Sequence, residues 1–277
     1  MLGVVEGITE YLPVSSTGHL ILATALLGLG HDAASRDALE AFEIVIQGGA
    51  ILAVAALYAP RLRSLLRGLA GRDPAGLRLA RNLLLAFLPA AAVGLAAHDA
   101  IRARLFHPIP VLAALFAGGV WMIWLDRRHS RGQGLIDDLS WRQAVFIGAL
   151  QCASLWPGTS RSMMTIAAGL LVGLRPRDAA EFSFLLGLPT LGAACAYSLA
   201  KNLTEASRTG TPNLFQQLGT EPVVIGLVVA TVSAALAVRW LVAFLNRHGL
   251  AAFGWYRIAL SVVLGAALWT GWIRLEG

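Results

Sequence analysis

Six stretches of this chain, residues 41–59, 79–97, 109–125, 179–200, 223–245 and 251–273, are long and predominantly apolar. A helix needs about 20 such residues to cross the hydrocarbon core of a bilayer, so six of them in one chain predict a membrane-spanning bundle. Composition agrees: 57% of residues are hydrophobic, only 14% are charged, and the mean hydropathy is +0.67. Soluble domains carry about a quarter charged residues, which excludes an ordinary soluble globule. The apolar runs are rich in Ala, Leu and Gly and bounded by Arg or Pro, whereas a membrane barrel reads as short alternating strands. The expected fold class is an all-α polytopic membrane protein, with residues 1–277 forming a single membrane-embedded domain.

The net charge of +6 and pI near 10.1 do not indicate nucleic acid, because the basic residues are dispersed over the loops between apolar runs. They report orientation instead. The loop holding Arg61, Arg63, Arg67, Arg72, Arg78 and Arg81 against the single Asp73 is expected to be cytoplasmic. Counting spans from it also places Arg127, Arg128, Arg131, Arg142, Arg175, Arg177 and Arg247 inside. Arg36, Arg102, Arg104, Lys201, Arg208 and Arg274 then fall outside. The first basic residue is Arg36, so the chain opens without the basic region of a signal peptide, and its start is expected to belong to the mature fold. Cys152 and Cys195, isolated in apolar sequence, read as packing residues.

That alternation holds only if segments 1–30 and 141–175 each enter and leave the membrane on one side. Each consists of two short apolar pieces interrupted by proline and polar residues, as a re-entrant hairpin would be. Irregular backbone at membrane depth is tolerated where protein or a water-filled cavity surrounds it. The halves also resemble each other: Pro13 with Ser15-Ser16 matches Pro157 with Thr159-Ser160, and Arg36-Asp37-Ala38 recurs as Arg177-Asp178-Ala179. Six transmembrane helices plus two re-entrant helical hairpins are therefore expected as an inverted repeat, half one at about 1–125 and half two at about 141–273. Three spans reverse orientation, so the hairpins would dip from opposite faces and their tips would meet near the midplane.

Polar groups at such depth are costly, which points to function at the two hairpins. Glu6 and Glu10, spaced i, i+4, lie on one helix face, and two close carboxylates in a dry site share a proton or bind a cation. The turn Ser15-Ser16-Thr17-Gly18-His19 offers hydroxyls and an imidazole for nucleophilic attack and proton transfer. In the second cluster Gly158 lets backbone amides approach a ligand, Ser160 and Ser162 supply hydroxyls, and Arg161 supplies a planar cation at a helix start. Plainer readings stand beside these: a surface glutamate pair, serines capping a helix from His19 to Gly30, and an arginine satisfying the glutamates. Together the clusters describe hydrolysis of a phosphate ester or anhydride carried on a lipid. Glu43, Gln47 and Glu181 with Ser183 are expected to line the cavity. The rival is a transporter or flippase using the same residues for binding only.

The segments Glu6-Gly7-Ile8-Thr9-Glu10, Pro13-Val14-Ser15-Ser16-Thr17-Gly18-His19 and Pro157-Gly158-Thr159-Ser160-Arg161-Ser162 resemble the two signature motifs of the bacterial undecaprenyl-diphosphate phosphatase family, also called the bacitracin-resistance protein BacA family. The likeness extends through residues 42–47, Gln151-Cys152 and residues 181–186, nearly the whole chain. Family members usually begin further upstream, and the residue after Ser162 is often Gly where this chain has Met163. The resemblance implies conversion of undecaprenyl diphosphate to the monophosphate carrier reused in peptidoglycan synthesis, in the bacterial plasma membrane, with a site opening to the outer face and a homodimer as the assembly. It carries catalytic roles onto Glu6, Glu10, Ser16, His19 and Arg161, and substrate contacts onto Gly158, Ser160, Ser162 and Thr165. Ser15, Thr17, Glu43, Gln47 and Glu181 would support them, and Glu6 with Glu10 would hold Mg²⁺ or Ca²⁺, hard cations that prefer carboxylate and phosphate oxygens. No organic cofactor is expected.

Overall fold

The computed structural model describes residues 1–29, 33–128 and 132–271; the side chains of residues 33–37 and 102 also lie outside the description. Arg36, Asp37, Arg102, Arg131, Arg274 and the end of the sixth run at 272–273 therefore fall outside the described residues or side chains. The helices, in chain order, are α1 (Leu2–Thr9), α2 (Ser16–Leu26), α3 (Ala33–Leu57), α4 (Ala59–Leu69), α5 (Pro74–Ala96), α6 (His98–Leu105) and α7 (Pro108–Arg128). They continue as α8 (Trp141–Gln151), α9 (Arg161–Leu171), α10 (Pro176–Thr209), α11 (Leu214–Leu218), α12 (Thr220–His248) and α13 (Ala251–Trp269). No strand occurs among the described residues. The protein is an all-α polytopic membrane protein.

Six helices, α3, α5, α7, α10, α12 and α13, are long and apolar enough to cross a membrane. Their surfaces are built for lipid. On α12 the exposed side chains include Val224, Val228, Val232 and Leu236, four residues apart, while the buried ones include Gly226, Ala230, Ala234 and Ala237. Large residues outward and small residues inward is the pattern of helices that associate by close packing in hydrocarbon. The reverse pattern would mark a soluble amphipathic helix.

Four of the remaining helices form the two hairpins, α1 with α2 and α8 with α9. α1 has 8 residues and α2, α8 and α9 have 11 each. At 1.5 Å per residue they reach about 12 to 17 Å, well short of the roughly 30 Å hydrocarbon core. Each hairpin packs its first helix on a long helix distant in sequence: α1 lies on α12, and α8 lies on α5. Long helices also meet, α3 with α10 and α7 with α13. This packing draws both turns inward. Tyr11, Leu12 and Val14 of the first turn share one buried core with Met163, Met164 and Ile166 of α9 and with Phe182, Phe184 and Leu185 of α10.

Three details differ from the sequence reading. The first apolar run does not continue to 59: α3 ends at Leu57, and α4 restarts at Ala59 with Pro60 in its first turn, where a missing N–H is harmless. The following basic loop is partly helical. Its return into α5 is capped by Asp73, whose carboxylate accepts from the amides of Ala75 and Gly76 and from the Ser64 hydroxyl. Finally, α2 begins at Ser16 rather than His19. Ser15 holds the position before it but makes no side-chain cap, so the expected capping role fails in the first turn.

Candidate active site

The two turns have the same local construction. Ser15 (φ 72°, ψ 103°) and Ser160 (φ 74°, ψ 117°) are the only described non-glycine residues with positive φ, and each immediately precedes an 11-residue helix. Such a conformation is unfavourable for an L residue and persists only where surrounding structure enforces it. Its effect here is to break the chain sharply and aim the amino terminus of α2 from one turn and of α9 from the other. Ser160 does cap its helix, accepting from the amide of Met163.

Glu10, at the end of α1, joins the two turns. Its Oε2 accepts from Ser16 Oγ at 2.8 Å, and its Oε1 faces Arg161 Nη2 at 3.2 Å. Both ion-pair side chains are only 8% exposed, so the pair is held away from bulk water. The Arg161 guanidinium also donates from Nη1 to the Ser183 carbonyl at 3.0 Å and lies over the Tyr11 ring at 5.3 Å. Gly187 backs it: a Cβ there would sit 2.9 Å from Nη1. Arg161 Nε, Glu6 Oε2 and the Tyr11 hydroxyl are buried with no hydrogen-bond partner among the described residues. Three orphaned polar atoms around one ion pair describe a site built for something further, because unpaired buried polar groups are expensive.

His19 sits on α2 with both ring nitrogens engaged. Nδ1 meets the Ser15 carbonyl at 2.7 Å, which can only accept, so Nδ1 carries a proton and donates it. Nε2 meets the Tyr256 hydroxyl at 2.6 Å, and the two rings stack with an 8° tilt. The ring is thereby fixed in tautomer and orientation.

Several expected residues take different places. Ser162 and Thr165 are fully buried. Ser162 Oγ donates to the Leu12 carbonyl at 2.8 Å, tying one turn to the other, and Thr165 Oγ1 pairs with Ser183 Oγ at 2.7 Å behind Arg161. These hydroxyls hold the scaffold and do not present themselves to a ligand. Thr17 is half-buried on the first turn of α2, and Gly158 offers its carbonyl to Arg257. Gln47 accepts from the Cys195 thiol at 3.0 Å, and Glu43 is exposed within electrostatic reach of Glu6. Glu181 is engaged elsewhere: its carboxylate accepts from Arg61 Nε at 2.6 Å, and Arg61 also pairs with Asp137.

Tyr11, Tyr256 and Arg257 were not singled out by motif. Arg257 had a readable signal all the same, as a lone cation in the middle of an apolar run.

Residues 1–263 match the family described as bacitracin resistance protein BacA. The chain belongs to that family. It is 49% identical to an undecaprenyl-diphosphatase of Sorangium cellulosum, over 95% of this chain and 83% of that protein. It is 45% identical to undecaprenyl-diphosphatase 2 of Rhodospirillum rubrum over 98% and 94%, and 45% identical to the undecaprenyl-diphosphatase of Azotobacter vinelandii over 95% and 91%. Within the BacA family the conjunction of Glu10, Ser16 and Arg161 thus stands in a chain whose relatives are named as phosphatases of a lipid diphosphate.

Proposed function

We propose that this protein hydrolyses undecaprenyl diphosphate to undecaprenyl phosphate and inorganic phosphate, recycling the lipid carrier for peptidoglycan synthesis and thereby supporting resistance to bacitracin. The observation that carries the mechanism is the Glu10 carboxylate, which holds the Ser16 hydroxyl on one oxygen and Arg161 on the other. A nucleophile, its base and an anion clamp converge there from both halves of the chain.

In this reading the terminal phosphate lies against the amino termini of α2 and α9, where free amides and helix dipoles favour anions. Arg161, at the start of α9, supplies the positive charge beside it. Ser16 Oγ passes its proton to Glu10 Oε2 and attacks the terminal phosphorus. The bond from that phosphorus to the bridging oxygen breaks, undecaprenyl phosphate leaves, and a phosphoserine remains. Water then attacks this ester, gives its proton to the protein and releases phosphate, with Ser16 recovering its hydrogen. His19, held by Ser15 and Tyr256, moves a proton for the leaving or attacking oxygen.

Mg²⁺ or Ca²⁺ fits beside this arrangement, because Glu6 Oε2 is an unsatisfied carboxylate oxygen next to Glu10. No group of three or more His, Cys, Asp or Glu side chains among the described residues could hold a metal alone. Glu6 and Glu10 would bind it together with phosphate oxygens, and the ion would neutralise developing charge. The reciprocal packing of the hairpins and the matched Ser15 and Ser160 conformations support an inverted repeat. We place the site open to the outer face of the bacterial plasma membrane in a homodimer.

The test is phosphate release from undecaprenyl diphosphate by purified protein in detergent. Turnover supports the phosphatase; binding without release assigns the site to a polyprenyl-phosphate transporter instead.

A further inference from the structure

Arg257 of α13 is the largest side chain that is fully buried, and no carboxylate among the described residues pairs with it. It spends its donors on backbone carbonyls alone. Nη2 donates to the Gly158 carbonyl at 2.8 Å and to that of Ala114 at 3.1 Å, Nε donates to Leu115 at 3.3 Å, and Nη1 reaches Pro13 at 3.5 Å. Pro13 belongs to the first turn, Gly158 to the second, and Ala114 and Leu115 to α7. One planar group therefore spans both turns and the helix behind them. The neighbouring sequence makes room for it: a Cβ at Gly118 would sit 2.5 Å from Arg257 Nη2.

A buried cation facing only carbonyl dipoles is a poor means of stabilising a core, since a well-packed apolar residue usually does as well or better. Its retention needs another reason. We propose that Arg257 is a positioning residue for the phosphatase reaction, a brace that sets the first turn, with Glu10 and Ser16, against the second, with Arg161. This rests on the reading of the two turns as one phosphatase site. Arg257 does not itself touch substrate, because it has no exposed surface. It acts through the carbonyls of Pro13 and Gly158, so its loss should misplace the reacting groups while leaving charge at the site supplied by Arg161.

The test compares wild type with Arg257→Lys, Gly118→Ala and, as a control one turn further along α13, Ser261→Ala. Each is measured for kcat and KM of phosphate release and for backbone hydrogen exchange at the two turns. Arg257→Lys keeps the charge but draws all bonds to one nitrogen; Gly118→Ala keeps the arginine but crowds its guanidinium. A misplacement of about 1 Å costs on the order of 10²-fold in rate, so kcat should fall by roughly that factor in both while KM changes little. Exchange should rise at both turns together, with Ser261→Ala resembling wild type. Unchanged exchange at the turns, or normal kcat per folded molecule in either variant, overturns the brace. If wild type releases no phosphate, the phosphatase reading fails, and the exchange data still decide whether Arg257 couples the turns.

Discussion

Replacing Arg161 with lysine keeps a positive charge and removes geometry. In the protein the guanidinium serves two directions at once, Nη1 to the Ser183 carbonyl and Nη2 to Glu10, with Nε buried and unpartnered among the described residues. A lysine ammonium is a single point and cannot span them. A hydrogen bond to a charged group contributes about 1.5 to 3 kcal/mol, so losing the contacts to Glu10 and to phosphate removes about 3 to 6 kcal/mol. At about 1.36 kcal/mol per factor of ten, kcat/KM should fall by about 10² to 10⁴. The assay is initial-rate phosphate release from undecaprenyl diphosphate in detergent micelles, with thermal unfolding followed alongside. Folding should be nearly unaffected, because the Ser162 bond to Leu12 and the Thr165 bond to Ser183 still hold the second turn. A kcat/KM within about threefold of wild type in a normally folded variant would refute the clamp.

Ser16→Ala should abolish turnover, and acid quenching of the wild type during turnover should trap phosphate on Ser16; phosphate recovered on His19 would reassign the nucleophile. Chelation of divalent ions should stop phosphate release, with Mg²⁺ or Ca²⁺ restoring it less well in Glu6→Gln; full activity in excess chelator would remove the metal. Asp73→Ala should lower thermal stability at neutral pH by uncapping α5. The Ser64 hydroxyl and then the Gly76 amide hold the Asp73 carboxyl below its usual value, so this stabilisation is present above the ordinary carboxylate pKa of about 3.9 and is lost as pH falls through the depressed one. The two unfolding midpoints should therefore converge in acid, and a gap that persists there would contradict the assignment.

The six spans and the two hairpins were legible because bilayer thickness fixes how long an apolar run must be, and Pro13 and Pro157 interrupt runs too short to cross. Glu6, Glu10, Ser16, His19 and Arg161 stand out in the sequence because polar groups are costly at membrane depth, and the structure brings three of them, Glu10, Ser16 and Arg161, into contact. Sequence spacing was less informative about partners. Glu181 is expected from sequence to line the cavity, yet Arg61, 120 positions away, holds its carboxylate. Ser162 beside Arg161 and Thr165 by family resemblance are expected as ligand groups, but helix periodicity turns their hydroxyls into the core. Arg257 was visible as a lone cation in an apolar run, but its partners were not, because its acceptors are main-chain carbonyls, which no side-chain pattern records.

In the proposed reading the two turns form one site, and a double-mutant cycle of Glu10→Gln with Arg161→Lys measures that directly. If Glu10 and Arg161 act on the same phosphoryl group through their 3.2 Å contact, each variant loses most of kcat/KM and the double variant loses far less than the product of the two. Losses that multiply in full would mean that the two residues act independently, and the composite site would be wrong.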